Sequence, residues 1–255
     1  MIAELQIITA IKLGRTIVEK GYFSQPFKLA NITEDKLGKA LQLMIMSSSP
    51  GILSGDEYKI NIRLKEGSEL HLQTQSYSRI FTMKEMASQT MEIHIEKDAS
   101  FYYLPHPIVP HENADFIARN KIYLSETSTL IWGEILTCGR KLNGEVFKFK
   151  RLQNVTEIYL NNRLILKENL LIEPAKINLN AIGQLEGFTH QASLFIIKPK
   201  HNTIESVKSI TTYLEKEKDI IFGVTTAAQN AVLVRILGNG AEQLHRCLKS
   251  LVVGI

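Results

Sequence analysis

At 255 residues the chain is long enough to bury a substantial core, and 44% apolar with 22% charged residues is the composition of an ordinary globular protein. A net charge of +4, from 30 basic and 26 acidic residues, is too mild to demand a nucleic-acid partner. Cys138 and Cys247 make no disulfide framework and suit a reducing cytoplasm, no apolar run reaches the roughly 18–20 residues of a membrane span, and the opening stretch, with Glu4 early, lacks a signal-peptide pattern.

Leu5, Ile7 and Ile17 stand among Gln6, Thr9 and Lys12, a partial alternation that predicts one or two early strands. Gly21 and Pro26 punctuate the following loop, which Phe23 and Phe27 are expected to anchor in the core. Thr33 before Glu34 and Asp35 reads as a helix start, whereas Leu41, Leu43 and Ile45 alternate like a strand. The reading is a short helical turn running into a strand. Residues 47–55, SSSPGILSG, form a turn-rich loop.

Beyond Asp56 the period of two is clear. Ile60, Ile62 and Leu64 lead through Glu66-Gly67 to Leu70 and Leu72. Ile93 and Ile95 lead through Lys97-Asp98 to Phe101 and Tyr103, and Ile122 and Leu124 lead through 125–128 to Leu130 and Trp132. These segments share a strand–turn–strand form at a spacing of about thirty residues, which hints at stacked β layers as in a solenoid. The competing reading is coincidence within a β meander.

Between the last two segments, Pro105, Pro107 and Pro110 predict a stiff extended loop over 106–111, outside any central ladder. Asn143-Gly144 offers the pair of positive φ angles that a two-residue hairpin needs. Phe147 and Phe149 alternate with Lys148 and Lys150, a strand with aromatics inward and lysines in water; no RNA-binding signature accompanies them. Strands at 158–160 and 164–166 join at Asn161-Asn162, and Leu170 and Ile172 extend the second.

The pattern then changes. Residues 194–197 are an apolar run suited to a strand buried on both faces. Thr203 can cap a helix with Ile204, Val207, Ile210 and Leu214 at helical spacing. Strands follow at 222–226 and 232–237 around a turn at Gln229-Asn230, and a last helix carries Leu244, Leu248 and Leu251 on one face. The predicted fold is mainly β, with β-helix-like stacked strands and two α-helices towards the C-terminus, in a single domain over 1–255.

No phosphate loop, dinucleotide fingerprint, HExxH, CxxC or GxSxG occurs. His106, His111 and Glu112 are weak metal candidates, since imidazole and carboxylate suit a divalent transition metal; surface histidines are the plainer reading. Cys138 near Trp132 reads as a small buried hydrophobe. Asp56, Glu134, Glu145 and Glu168 lie in β context, where a buried carboxylate needs a partner or water, and Arg140 is the obvious partner for one of them.

Several stretches together resemble the UreD/UreH family of urease accessory proteins. SSPGILSGDEYKINIRLKEGSELHLQTQSYSRIF carries Gly55-Asp56 and Thr74-Gln75; YLPHPIVP carries Pro105; WGEILTCGRKLNGEVF carries Trp132, Glu134, Gly139, Arg140, Gly144 and Glu145. Gly223-Val224 and LVRILG at 233–238 match the family's closing unit, while Ile52 and Ser78-Arg79 depart from its usual residues. The pattern is closest to the UreH branch. The resemblance implies a non-enzymatic chaperone that helps to insert nickel into urease, bridging apo-urease to UreF and, through UreF, to the GTPase UreG. It places GTP on UreG alone and allows a dimer within the UreF-containing complex. It implies no tightly bound cofactor, only nickel in weak transit along a polar route for which Asp56, Glu134 and Glu168 are the lining candidates. It also makes the C-terminal helices part of the surface that meets UreF. Two rivals remain: a β-helical hydrolase or lyase using Glu134 and Glu145, and a polysaccharide-binding module, which would want rows of exposed aromatics.

Overall fold

The computed structural model of the chain describes residues 1–253. Strands numbered in chain order form two sheets. In spatial order the first holds β14 (Arg163–Ile172), β13 (Arg151–Leu160), β11 (Asp115–Leu124), β8 (Ala87–Ile95), β5 (Glu57–Leu64), β1 (Ile2–Lys12) and β2 (Arg15–Phe23). The second holds β16 (Ile221–Ala227), β17 (Ala231–Gly238), β15 (His190–Ile197), β12 (Thr129–Thr137), β9 (Ser100–Tyr103), β6 (Glu69–Thr74), β4 (Leu41–Ser47) and β3 (Phe27–Asn31). The short β10 (Ile108–Pro110) and β7 (Ser78–Ile80) pair beside it. Two helices, α1 (Thr203–Leu214) and α2 (Ala241–Val253), complete the order. Neither is long and apolar enough to cross a membrane.

The middle strands of both sheets are parallel, and their register follows the spacing read in the sequence. Leu64, Ile95 and Leu124 are successive Cα partners across β5, β8 and β11. Leu70, Phe101 and Leu130 are successive partners across β6, β9 and β12. A parallel pair cannot be closed by a tight hairpin. β5, β8 and β11 of the first sheet therefore each turn into a strand of the second (β6, β9 and β12) before the chain returns about thirty residues later. The turns stack as well: Gly67 N–H reaches Lys97 O at 2.9 Å and Ser100 N–H reaches Ser68 O at 2.8 Å. Gly67 (φ +73) and Asp98 (φ +54) supply the left-handed residue each turn requires.

Two cores result. One lies between the sheets, where Trp132, Phe101 and Phe195 are the largest fully buried side chains. The other lies between the outer face of the second sheet and the helices, where Leu244, Leu248 and Leu251 of α2 pack on Ile131, Ile135, Leu194 and Val234. β15 serves both, with Phe195 and Ile197 in the first core and Leu194 and Ile196 in the second. That is why all of it is buried. α2 comes close because Gly133 has no side chain; a Cβ there would meet Leu104 Cδ2 at 2.6 Å and Leu248 Cδ1 at 3.3 Å.

Several local expectations are corrected. Phe27 is buried but Phe23, at the end of edge strand β2, is exposed. No helical turn forms after Thr33, because its hydroxyl accepts the Gln42 N–H at 2.9 Å and ties 33 to the start of β4. Residues 108–110 are not outside every ladder: Ile108 pairs with Leu136 and with Ser78. Asn143-Gly144 is no hairpin, since 141–143 form a 3₁₀ turn capped by left-handed Gly144. Phe147 (φ +52) breaks the expected strand at 147–150, although Phe149 is buried. A hairpin with both turn residues left-handed does form at Asn161-Asn162 (φ +49 and +63) between β13 and β14. α1 is capped one residue earlier than expected, by the Asn202 side chain accepting the Glu205 N–H. The reading of one domain over 1–255 extends to residues 254 and 255, which lie outside the described residues.

Candidate functional site

Alternation on β11 puts Phe116, Ala118, Asn120, Ile122 and Leu124 on the core side, so Asn120 is a polar residue in an apolar row. Asn154 and Thr156 stand likewise between Leu152 and Ile158 on β13. All three are buried. From the opposite sheet, Trp132 and Glu134 share a face of β12. These side chains meet between the sheets and satisfy one another, as buried polar groups require.

Glu134 is the terminal acceptor of the network. Its Oε1 receives the Trp132 indole N–H at 2.6 Å and the Thr156 hydroxyl at 2.6 Å. Asn120 Nδ2 donates to Asn154 Oδ1 at 3.0 Å and to Thr156 Oγ1 at 2.9 Å, so the Thr156 proton is left for Glu134. Burial pushes the Glu134 carboxyl above its ordinary value, and the charge of Glu168 adds to this, while donation from Thr156, Trp132 and Asn154 opposes it. Tyr103, whose ring packs tilted against Trp132 with centroids 4.5 Å apart, is also pushed up, by burial and then by the charge of Glu134.

The polar layer runs across the molecule. Asn120, Thr156 and Glu168 are successive Cα partners in the first sheet, as are Glu134, Ser193 and Arg235 in the second. The two rows are linked by Thr156 to Glu134 and, nearer the surface, by Arg235 Nη2 to Glu168 Oε1 at 2.5 Å. Glu134 lines a cavity of about 170 Å³, with Tyr58, Trp132, Asn120 and Asn154 in its wall and Thr74, Gln75, Pro105 and His106 among its other lining residues. A second pocket, of about 20 Å³, is lined by Leu170, Gln191 and Ser193 among others. Glu134 and Asn154 line both. A carboxylate that takes two donors on one oxygen and lines both pockets can present its other oxygen to a small cation or to water.

The remaining sequence-predicted residues fall into separate places. Asp56 accepts the Met1 ammonium at 3.2 Å and the Leu53 N–H at 2.8 Å, and Gly55 (φ +71) forms the turn before it. Asp56 does not line the cavity; its neighbour Tyr58 does, with a phenol raised to about 12 by burial and then by the Asp56 charge. Thr74 Oγ1 accepts the His106 N–H at 2.8 Å. Glu145 is clamped by Arg140, whose Nε reaches Oε2 at 2.8 Å and whose Nη2 takes the other oxygen. That guanidinium holds the Glu145 carboxyl below the usual range, against the effect of burial. Glu145 lines neither cavity, so it does not share a cleft with Glu134. Gly139 (φ +117) lets this loop turn, since a Cβ would lie 2.7 Å from Pro110 O and 2.9 Å from Glu145 O. His111 is buried near the same pair, against Phe81 at 4.6 Å, and its Nε2 lacks a partner. Burial, then Arg140, lowers its basicity. His106 lies elsewhere, its ring 4.7 Å from His245. Among the described residues no three His, Cys, Asp or Glu side chains gather as a metal-holding group.

Sequence reasoning missed Asn120, Asn154, Thr156 and His245. The first three were detectable as polar residues in phase with the inward positions of their strands. His245 carried no such sign, because only packing sets it against a loop far away in sequence.

The family described as UreD urease accessory protein matches residues 2–253 of the chain. A protein of Flavobacterium johnsoniae named urease accessory protein UreD is 43% identical over 252 residues, covering 98% of this chain and 91% of its own length. A protein of the same name from Acetivibrio thermocellus is 34% identical over 248 residues, covering 97% and 94%. One from Haemophilus influenzae is 33% identical over 250 residues, covering 93% and 92%.

Proposed function

The chain belongs to the UreD family of urease accessory proteins, and on that premise we propose that it serves urease maturation as a non-enzymatic scaffold through which nickel passes. In this reading it acts in the cytoplasm, as one unit, bridging apo-urease to UreF and through UreF to the GTPase UreG. GTP hydrolysis belongs to UreG, and nickel is cargo held only in passing.

The observation that supports the route is the position of Glu134. A carboxyl group lining two cavities, with hydrogen-bond donors on one oxygen, offers a weak and exchangeable hard ligand in the middle of the chain's interior. Glu168 is the next acidic group along the polar layer, where Arg235 neutralises it at the surface end. Asp56 stands behind the cavity wall at Tyr58 and is the outer candidate of the three. Tight ligation by several soft donors would hold the ion instead of passing it on. A β-helical hydrolase or lyase built on Glu134 and Glu145 draws no support, because Arg140 occupies both Glu145 oxygens.

The test is reconstitution. The chain is co-purified with UreF, UreG and apo-urease, and urease activity is measured after nickel and GTP are added, with and without the chain. Activation that depends on the chain is the expected result. Equal activation in its absence removes the accessory role.

A further inference from the structure

Outside the polar layer, a second group of side chains stands where α2 meets the loop after β9. His106, from that loop, and His245, from α2, have ring centroids 4.7 Å apart at an interplanar angle of 45°. His245 is buried at 5% relative exposure, and its Nε2 has no hydrogen-bond partner. An orphaned imidazole nitrogen in a protein interior costs free energy unless something occupies it. His106 is held through its other side: Thr74 Oγ1 accepts its backbone N–H at 2.8 Å and lies 3.2 Å from its Nδ1. Glu242 sits one turn before His245 on the same helix and accepts the Tyr77 hydroxyl at 2.5 Å. His106 and Tyr77 also line the cavity.

We propose that His106 and His245 form a two-imidazole site for a late first-row divalent cation, nickel among them, beside the stretch of the cavity wall that His106 lines. The chemistry suits such an ion, since neutral imidazole is its preferred protein ligand. Burial lowers the basicity of His106, and burial, followed by the charges of Lys249 and His106, brings His245 down to about 4. Of the other charged groups facing the pair, Lys249 works against a cation and Glu242 favours one. With only two protein nitrogens, the site holds the ion loosely enough to exchange it. A second-layer partner is already present in Thr74, which orients the His106 ring. The pairing differs from the one read in the sequence, where His111 stood beside His106.

The site is independent of the urease assignment, and its test uses the full chain alone. Nickel chloride is titrated into the purified protein by calorimetry, and Cu²⁺ is bound for paramagnetic resonance. The expected results are one nickel ion per chain and nitrogen superhyperfine structure from two imidazoles. His245→Ala and His106→Ala should each weaken nickel on the order of tenfold or more, while His94→Ala, on an exposed face, should change nothing. Unchanged nickel affinity in a folded His106→Ala chain, no binding by the wild type, or a copper signal without imidazole nitrogens would each overturn the site. The copper spectrum of the wild type decides the matter even where His245→Ala fails to fold. Loss of urease activation with nickel binding intact, or the reverse, separates this site from the scaffold role.

Discussion

Glu134 pairs a cost with a use. A carboxyl whose folded pKa is raised adds nothing unfavourable below about pH 4, where it is protonated in both states. The penalty grows as pH rises towards the folded value, because the unfolded chain ionises first. Glu134→Gln keeps an acceptor for Trp132 and Thr156 and removes the ionisation. It should raise Tm by about 2–4 °C at pH 7, the effect of about 1 kcal/mol in a chain of this size, with the two melting curves converging below about pH 4. The same variant should assemble with its partners yet activate urease poorly; normal activation would return Glu134 to a purely structural part. His190 gives the opposite slope. Burial, then Lys141, lowers it to about 4, so between about pH 6.5 and 4 the unfolded state takes up a proton that the native state refuses. Stability should hold above that window and fall within it, by up to about 1.4 kcal/mol per pH unit for this group. His190→Gln should flatten the decline seen in denaturant titrations at several pH values.

Single elements show where local sequence speaks and where it misleads. Asn161-Asn162 and Asn143-Gly144 look equally good as hairpin turns, yet only the first has strands in register on both sides. After the second, left-handed Phe147 and its N–H bond to Cys138 O at 2.8 Å fold the loop back around the Arg140–Glu145 pair. The two glycines of that loop should therefore differ. Gly144→Ala meets no atom within 4 Å and bears only the strain of φ +76, about 1 kcal/mol. Gly139→Ala puts its methyl within 3 Å of two backbone oxygens and should cost clearly more, about 2–3 kcal/mol. Urea midpoints of the two variants check the ranking; equal losses would show that the loop relaxes freely. Alternation made the stacked strands legible, since Leu64, Ile95 and Leu124 must all face inward to pair as they do. It could not reveal that Phe23 ends an edge strand or that 108–110 find a partner, because those depend on which neighbour is left over after the sheets are built.

At the scale of the molecule, the two cores are joined only through the second sheet. Leu248 is 1% exposed and belongs to the outer core. Leu248→Ala should cost about 2–5 kcal/mol and speed hydrogen exchange in α1, α2 and β17 while leaving β5, β8 and β11 slow. Uniformly faster exchange would mean that the helices and the sandwich open as one cooperative unit. The candidate site was partly visible in the sequence because Trp132 and Glu134 stood together in a resembling motif. Glu168 was carried by the resemblance alone, and Asn120 and Thr156 only by their inward phase, because the three become neighbours only when three strands are laid side by side.

The stacked register also governs how the protein comes into being. Each parallel layer waits for a strand made about thirty residues later, so every nascent layer leaves the ribosome with one bare edge and a half-covered apolar face. β15, buried on both sides, arrives after the layers it must seal. Until then β12 offers an unpaired backbone to any other extended chain. The yield of native protein in a cell is thus set by a race between closure and aggregation, in which mild cooling or slower synthesis helps more than a gain in native-state stability.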